Sequence, residues 1–146
     1  MEILVLNGPN LNLLGLREPE IYGRESYDDL CRMVAQRAKA LGVRVRFYQS
    51  NHEGALVDAI QEARHYAGGI ILNPGAYTHT SIALLDAVKA VGIPTVEVHI
   101  SDPDTREEFR KISYIRAACI ATVKGQGLAG YCTALELLAR RDIRAV

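Results

Sequence analysis

Apolar residues along the chain follow two alternating patterns. Short continuous or every-second-residue runs lie at Ile3-Leu4-Val5-Leu6, Val43 to Tyr48, Ile70-Ile71-Leu72, Val96 to Ile100 and Cys119 to Val123. Between them, apolar positions recur at intervals of three and four. Tyr27, Leu30, Cys31, Val34, Ala38 and Leu41 form such a stripe after Ser26 and before Gly42. Leu56, Ile60, Ala63 and Ala67 form a second that ends at Gly68, and Ile82, Leu85, Val88 and Val91 a third that ends at Gly92 before Pro94. A last stripe, Leu128, Tyr131, Leu135 and Leu138, leads into an arginine-rich tail. Strand-like runs alternating with helical stripes predict repeated βα units on one parallel sheet.

The first and third runs are uninterrupted, which suits central strands covered on both faces. Val43, Val45 and Phe47 alternate with Arg44, Arg46 and Tyr48, the pattern of a half-exposed edge strand. Val96, Val98 and Ile100 likewise alternate with Glu97 and His99. Central strands one and three beside an edge-like strand two give an α/β, flavodoxin-like three-layer sandwich with a five-stranded parallel sheet of order 2-1-3-4-5. The length of 146 residues fits one domain, 1–146.

Each run breaks into a polar cluster: Asn7 to Asn10, Ser50 to Glu53, Asn73 to Ser81, His99 to Asp102, and Lys124 to Gly127. On a parallel sheet these clusters share the carboxyl edge, where open α/β folds bind ligands. They predict one composite site. The first connection, from Asn7 to Ser26, is far longer than the ~2 to 6 residues of ordinary βα loops, and it reads as a lid over about residues 11–25, carrying Arg17 and Tyr22. No helix is expected before Ser26.

Net charge is zero, with 17 basic and 17 acidic residues, so nothing draws nucleic acid or an anionic membrane, and a small-molecule partner is the better default. Cys31, Cys119 and Cys132 show neither CxxC nor metal-ligand spacing and read as buried thiols, which fits a reducing cytoplasm. No apolar stretch approaches a membrane span, and no basic leader precedes the first run.

Several residues carry candidate chemistry beside a plainer reading. Asn7 caps the turn after strand one, whereas Asn10 faces a ligand. His99 is either a hydrogen-bonded structural histidine or, with Glu97 two residues earlier on the same strand face, an imidazole held to move a proton. The hydroxyls beside His79 are ordinary helix caps, but capping has no use for an imidazole. His52 reads as structural or interfacial and His65 as solvated. Arg106 and Arg110 either form a solvated helix face with Glu107 and Glu108 or aim at an anionic substrate. No HExxH or GxSxG pattern occurs, so zinc and serine-hydrolase chemistry lack a motif, and the Asn7 to Asn10 cluster has neither the GxxxxGK nor the GxGxxG of a phosphate-binding loop.

Together the blocks Leu6 to Gly15, Leu16-Arg17-Glu18-Pro19 with Tyr22-Gly23, Ser50 to Gly54, Asn73 to Ser81, and Val96 to Ser101 with Arg106 to Arg110 resemble type II 3-dehydroquinate dehydratase over essentially the whole chain. The resemblance implies a cytoplasmic, cofactor-free and metal-free lyase of the shikimate or quinate pathway, assembled as a homododecamer of four trimers. It implies that Tyr22 takes a proton from C2 of 3-dehydroquinate to give an enolate, and that Arg17 favours the phenolate. Asn10 would hold a water on the enolate, and His99 would protonate the departing C1 hydroxyl. Ile100 and Ser101 would bind the carboxylate, and Asn73, His79 and Arg110 the ring hydroxyls. Glu97 and Arg106 would support the site, and Asp86 would reach a neighbouring subunit's lid. A phenol ordinarily titrates near pH ~10. A cation ~4 Å away at an effective dielectric of ~20 contributes ~4 kcal/mol toward its ionised form, so one arginine suffices. The chain departs from the family at Asp102, where Asn is usual, and a carboxylate there repels substrate unless it points away or meets a cation such as Arg106. A noncatalytic flavodoxin-like binding protein and a metal-dependent hydrolase are the competing classes.

Overall fold

A computed structural model describes residues 1–16 and 18–144, with side chains through 141. Arg17 therefore lies outside the described residues. Strands β1 (Glu2–Asn7), β2 (Arg44–Gln49), β3 (Gly69–Asn73), β4 (Thr95–His99) and β5 (Ala121–Lys124) form one parallel sheet of order β2-β1-β3-β4-β5, as the apolar runs predicted. Val5 pairs with Phe47 on one side and Ile71 on the other, and His99 pairs with Lys124. Side chains alternate across a strand. Ile3, Val5, Ile71, Val96, Val98 and Val123 thus pack with helices α2 (Tyr27–Leu41) and α5 (Ala129–Arg144). Leu4, Leu6, Ile70 and Leu72 pack with α3 (Glu53–Ala63) and α4 (Ile82–Val91) on the opposite face.

Local signals set the helix ends. Ser26 Oγ accepts from Asp29 N at 3.1 Å while Asp29 Oδ2 accepts from Ser26 N at 2.9 Å, a reciprocal cap that starts α2. Ser81 Oγ accepts from Leu84 N and starts α4. Helix α3 stops at Ala63 rather than at Gly68, because Arg64 and His65 reach back only three residues and tighten the last turn. On α4 the buried residues are Leu84, Ala87 and Val88, while Ile82 is 48% exposed, so the expected Ile82, Leu85, Val88 stripe is not the buried face. Eight of its ten residues are apolar, and more than one stripe of helical period can be drawn through them. The fifth strand begins at Ala121, because Ile115–Ala118 is a 3-10 turn and Ile120 is 44% exposed.

Two further elements depart from the sequence pattern. Strand β4 is buried at every residue, since its Glu97 and His99 face lies beneath Thr78 and Ser113 instead of solvent. The first connection contains a 3-10 turn, Leu11–Leu13, and a short helix, α1 (Pro19–Tyr22), which begins on a proline pre-set for that position. Leu11 and Leu14 are 5% and 3% exposed and anchor this connection in the core on the α2 side.

The turns after β1 and β3 touch. Gly8 N donates to Asn73 O at 2.8 Å, and a Cβ at Gly8 would lie 2.5 Å from the Pro74 carbonyl oxygen. Gly75, at φ 59°, faces the Pro9 carbonyl across the same crossing. Only a glycine fits at Gly8 with the backbones this close.

Candidate active site

A cavity of about 210 Å³ opens at the carboxyl edge of β1, β3 and β4. The turn after β1 contributes Asn10 and α1 contributes Tyr22. The β3 end and following turn contribute Asn73 and His79. Strand β4 and the chain beyond it contribute His99, Ile100, Ser101, Arg106 and Arg110. The five polar clusters do not contribute equally, since neither the Ser50 to Glu53 cluster nor the Lys124 to Gly127 cluster reaches this wall.

Glu97 gathers a buried set of hydrogen bonds beneath His99. Its Oε1 accepts from His99 Nε2 at 2.8 Å, from Ser113 Oγ at 2.8 Å and from the Thr78 hydroxyl. Its Oε2 accepts from Thr122 Oγ1 at 3.4 Å and lies 3.9 Å from Arg116 Nε. Burial alone would raise the carboxyl pKa, but the bonds from His99, Thr78 and Ser113 outweigh it and hold Glu97 at about 2. The carboxylate is thus ionised and only accepts. His99 Nε2 must therefore carry a proton and donate, which leaves Nδ1 as the ring nitrogen outside that bond. Thr78, Ser113 and Thr122 were not singled out as site residues in the sequence, because they meet Glu97 only through the fold. Arg116 Nε is the one buried side-chain polar atom without a hydrogen bond among the described residues.

Tyr22 sits across the cavity. Arg106 Nη1 donates to its hydroxyl at 2.8 Å, and the Arg106 guanidinium carbon lies 5.5 Å from the centre of its ring. Arg106 thus sets a positive charge and a hydrogen-bond donor at the phenol oxygen. The sequence offers Arg17 for that role and Arg106 only as support or as a partner of Asp102. Among the described residues it is Arg106 that contacts Tyr22, 84 positions away in the chain, and Arg17 lies outside them.

Asp102 meets a different cation. Its Oδ1 accepts from Asp104 N at 3.0 Å and lies 3.7 Å from Lys124 Nζ, which also pairs with Asp104. Asp102 borders an adjoining hollow, which Ser101 also lines, and not the cavity itself. Arg106 and Arg110 do not share a continuous helix face, because the chain from Pro103 to Ala118 is a series of 3-10 turns. Arg110 Nε donates to Glu107 at 2.6 Å while the residue still borders the cavity.

His79 Nδ1 lies 2.6 Å from the Ile112 carbonyl, which can only accept, so Nδ1 is protonated and Nε2 is left for the cavity. Asn10 adopts a left-handed conformation, φ 70°, and its N–H donates to Asn51. Asn7 is fully buried, and its side chain bonds to Tyr131 and Tyr27 rather than capping the turn. His52 precedes α3 without a side-chain cap bond, and His65 accepts from Arg64 Nε at the surface. Asp86 is exposed on α4, away from the cavity.

Comparison with known proteins agrees with this geometry. The family model described as dehydroquinase class II matches residues 1–139. The chain is 54% identical to 3-dehydroquinate dehydratase 1 of Corynebacterium efficiens over 142 residues, covering 97% of this chain and 94% of that one. It is 51% identical to the type II dehydroquinase structure from Butyrivibrio crossotus, with a TM-score of 0.93 and coverage of 94% and 97%. The type II dehydroquinase structure from Propionibacterium acnes matches at 42% identity and a TM-score of 0.92, covering 95% and 96%. A family match over residues 1–139, with relatives 54% and 51% identical across nearly the whole chain, places the chain in the class II dehydroquinase family.

Proposed function

We infer that the protein is a 3-dehydroquinate dehydratase of type II, a lyase of the shikimate pathway that removes water from 3-dehydroquinate to give 3-dehydroshikimate. The observation that carries this reading is the pairing, in one cavity, of an arginine-bound phenol, Tyr22, with an imidazole, His99, anchored by an ionised carboxylate. Tyr22, as phenolate, takes the C2 proton, and the C2–H electrons move onto the carbonyl oxygen as an enolate. Arg17 serves this base, Arg106 supports it by donating to the phenol oxygen, and Asn10 holds a water on the enolate. The electrons then return to expel the C1 hydroxyl, and His99 Nδ1 gives it the proton that completes water. The backbone of Ile100 and Ser101 with the Ser101 hydroxyl takes the substrate carboxylate. Asn73, His79 and Arg110 take the ring hydroxyls. No step calls for a metal or cofactor. Residues about 11–25 act as a lid that closes over the bound substrate and excludes water.

The test is direct: adding 3-dehydroquinate to the protein is expected to produce the near-ultraviolet absorbance of a conjugated enone. Folded protein that forms no such product would overturn the assignment in favour of a binding module.

We also infer a cytoplasmic homododecamer of four trimers. Among the described residues no helix is long and apolar enough to cross a membrane. Ile82 on α4 and Phe109, Ile112 and Tyr114 on the turns after β4 are exposed apolar residues, 48%, 61%, 54% and 41%, of the kind a subunit contact covers. Asp86 stands exposed on that helix to meet a neighbour's lid. Light scattering is expected to give a large assembly, and Asp86→Ala to lower activity more than it lowers subunit stability. An active monomer would contradict this.

A further inference from the structure

One buried titratable group has no part in the chemistry above. Tyr131, on α5, is fully buried, and its hydroxyl lies between the side chains of Asn7 and Asn73, the residues that end β1 and β3. The direction of every bond there follows from one backbone group. Gly75 N–H can only donate, and it lies 3.1 Å from the Asn73 side chain, so the amide oxygen faces it. The Asn73 nitrogen then faces Tyr131 and donates to its oxygen at 2.8 Å. Burial raises the Tyr131 pKa above the ordinary tyrosine range, so the hydroxyl keeps its proton. That proton goes to Asn7 Oδ1 at 2.6 Å, and Asn7 Nδ2 donates onward to Tyr27 at 3.4 Å.

We propose that Tyr131 is a positioning residue, whose hydroxyl clamps the Asn73 amide in one orientation and so fixes which of its atoms the substrate meets. The clamp occupies one Nδ2 hydrogen, and Gly75 occupies one Oδ1 lone pair. Asn73 keeps its second hydrogen and second lone pair for the cavity it borders. Without the hydroxyl the nitrogen loses its partner and only the Gly75 bond holds the amide, so it turns more readily about its last torsion and ligand binding must order it again. The part of this inference that concerns substrate rests on Asn73 being a substrate-binding residue.

Tyr131→Phe keeps the ring and its packing. It is expected to raise KM for 3-dehydroquinate about tenfold, the scale of one hydrogen bond, with kcat within about threefold. In an Asn73→Ala background the same substitution should cost nothing further, because the two residues act through one bond. Asn7→Leu removes the acceptor that orients the hydroxyl and should reproduce the effect, whereas Asn7→Asp keeps an acceptor and should not. Losses in kcat/KM that multiply in the double variant would reduce Tyr131 to a packing residue. A second readout needs no substrate. In protein labelled with nitrogen-15 at asparagine side chains, the Asn73 amide protons should exchange slowly, and faster in Tyr131→Phe. Equal exchange in both proteins would overturn the clamp whatever the substrate is. Slow exchange in a wild-type protein that leaves 3-dehydroquinate unchanged would instead sink only the functional assignment.

Discussion

Replacing Tyr22 by Phe is expected to lower turnover by at least the ~10²-fold to 10⁴-fold that accompanies loss of a general base, with substrate binding retained. The ring packs against the core on the α2 side, and Phe preserves that contact, so the lid should stay in place. The substitution removes only the oxygen to which Arg106 donates. Arg106→Leu would keep the phenol and delete the donor to it, so it should lower turnover by less than Tyr22→Phe does. Single-turnover kinetics with binding measured separately resolve the two effects. Unchanged turnover in Tyr22→Phe would make Tyr22 a packing residue and end the enolate mechanism.

Glu97→Gln should act on both stability and catalysis. The folded protein holds Glu97 at about 2 against an ordinary value of 4.5. A depressed folded pKa contributes stability that is complete above pH ~4.5 and is lost as pH falls toward ~2. The difference corresponds to about 3 kcal/mol. Urea unfolding of the wild-type protein should therefore weaken over that window, and the Gln variant should change less. Asp29, Asp104 and Glu107 also have lowered pKa values, but they are common to both proteins and cancel in the comparison. An amide in place of Glu97 also puts a donor where His99, Thr78, Ser113 and Thr122 need acceptors. Turnover should fall by about 10²-fold or more, since changing the carboxylate that orients a catalytic imidazole can cost up to ~10⁴. Parallel pH–stability curves for the two proteins would show that the buried carboxylate is not the titrating group.

The strand order was legible because uninterrupted Ile3 to Leu6 and Ile70 to Leu72, beside the alternating Val43 to Tyr48, carry burial directly in their pattern. Strand β4 misled for the same reason: polar residues on alternate positions ordinarily face water, and here they face a buried hydrogen-bond cluster. Cavity residues that close a strand, such as Asn73 and His99, were visible from their place in the chain. Partners joined only by tertiary contact were not. Nothing local to Arg106 or Tyr22 indicates their bond, and nothing local to Tyr131 separates it from the apolar stripe in which it sits. Asp102 shows the converse, since its charge looked hostile to an anion until Lys124 and the Asp104 N–H supplied its partners.

The contact between Gly8 and the Pro74 carbonyl also bears on how this pocket can change over generations. With no room for even a methyl group between the two turns, a larger residue at position 8 has to await a compensating shift in the β3 turn, and neither change is tolerable first. Stepwise drift is blocked on that side of the cavity. New specificity, natural or engineered, is therefore expected to arise on the opposite wall, where Arg106 and Arg110 ride on 3-10 turns and a single substitution alters the surface a ligand meets without moving a strand.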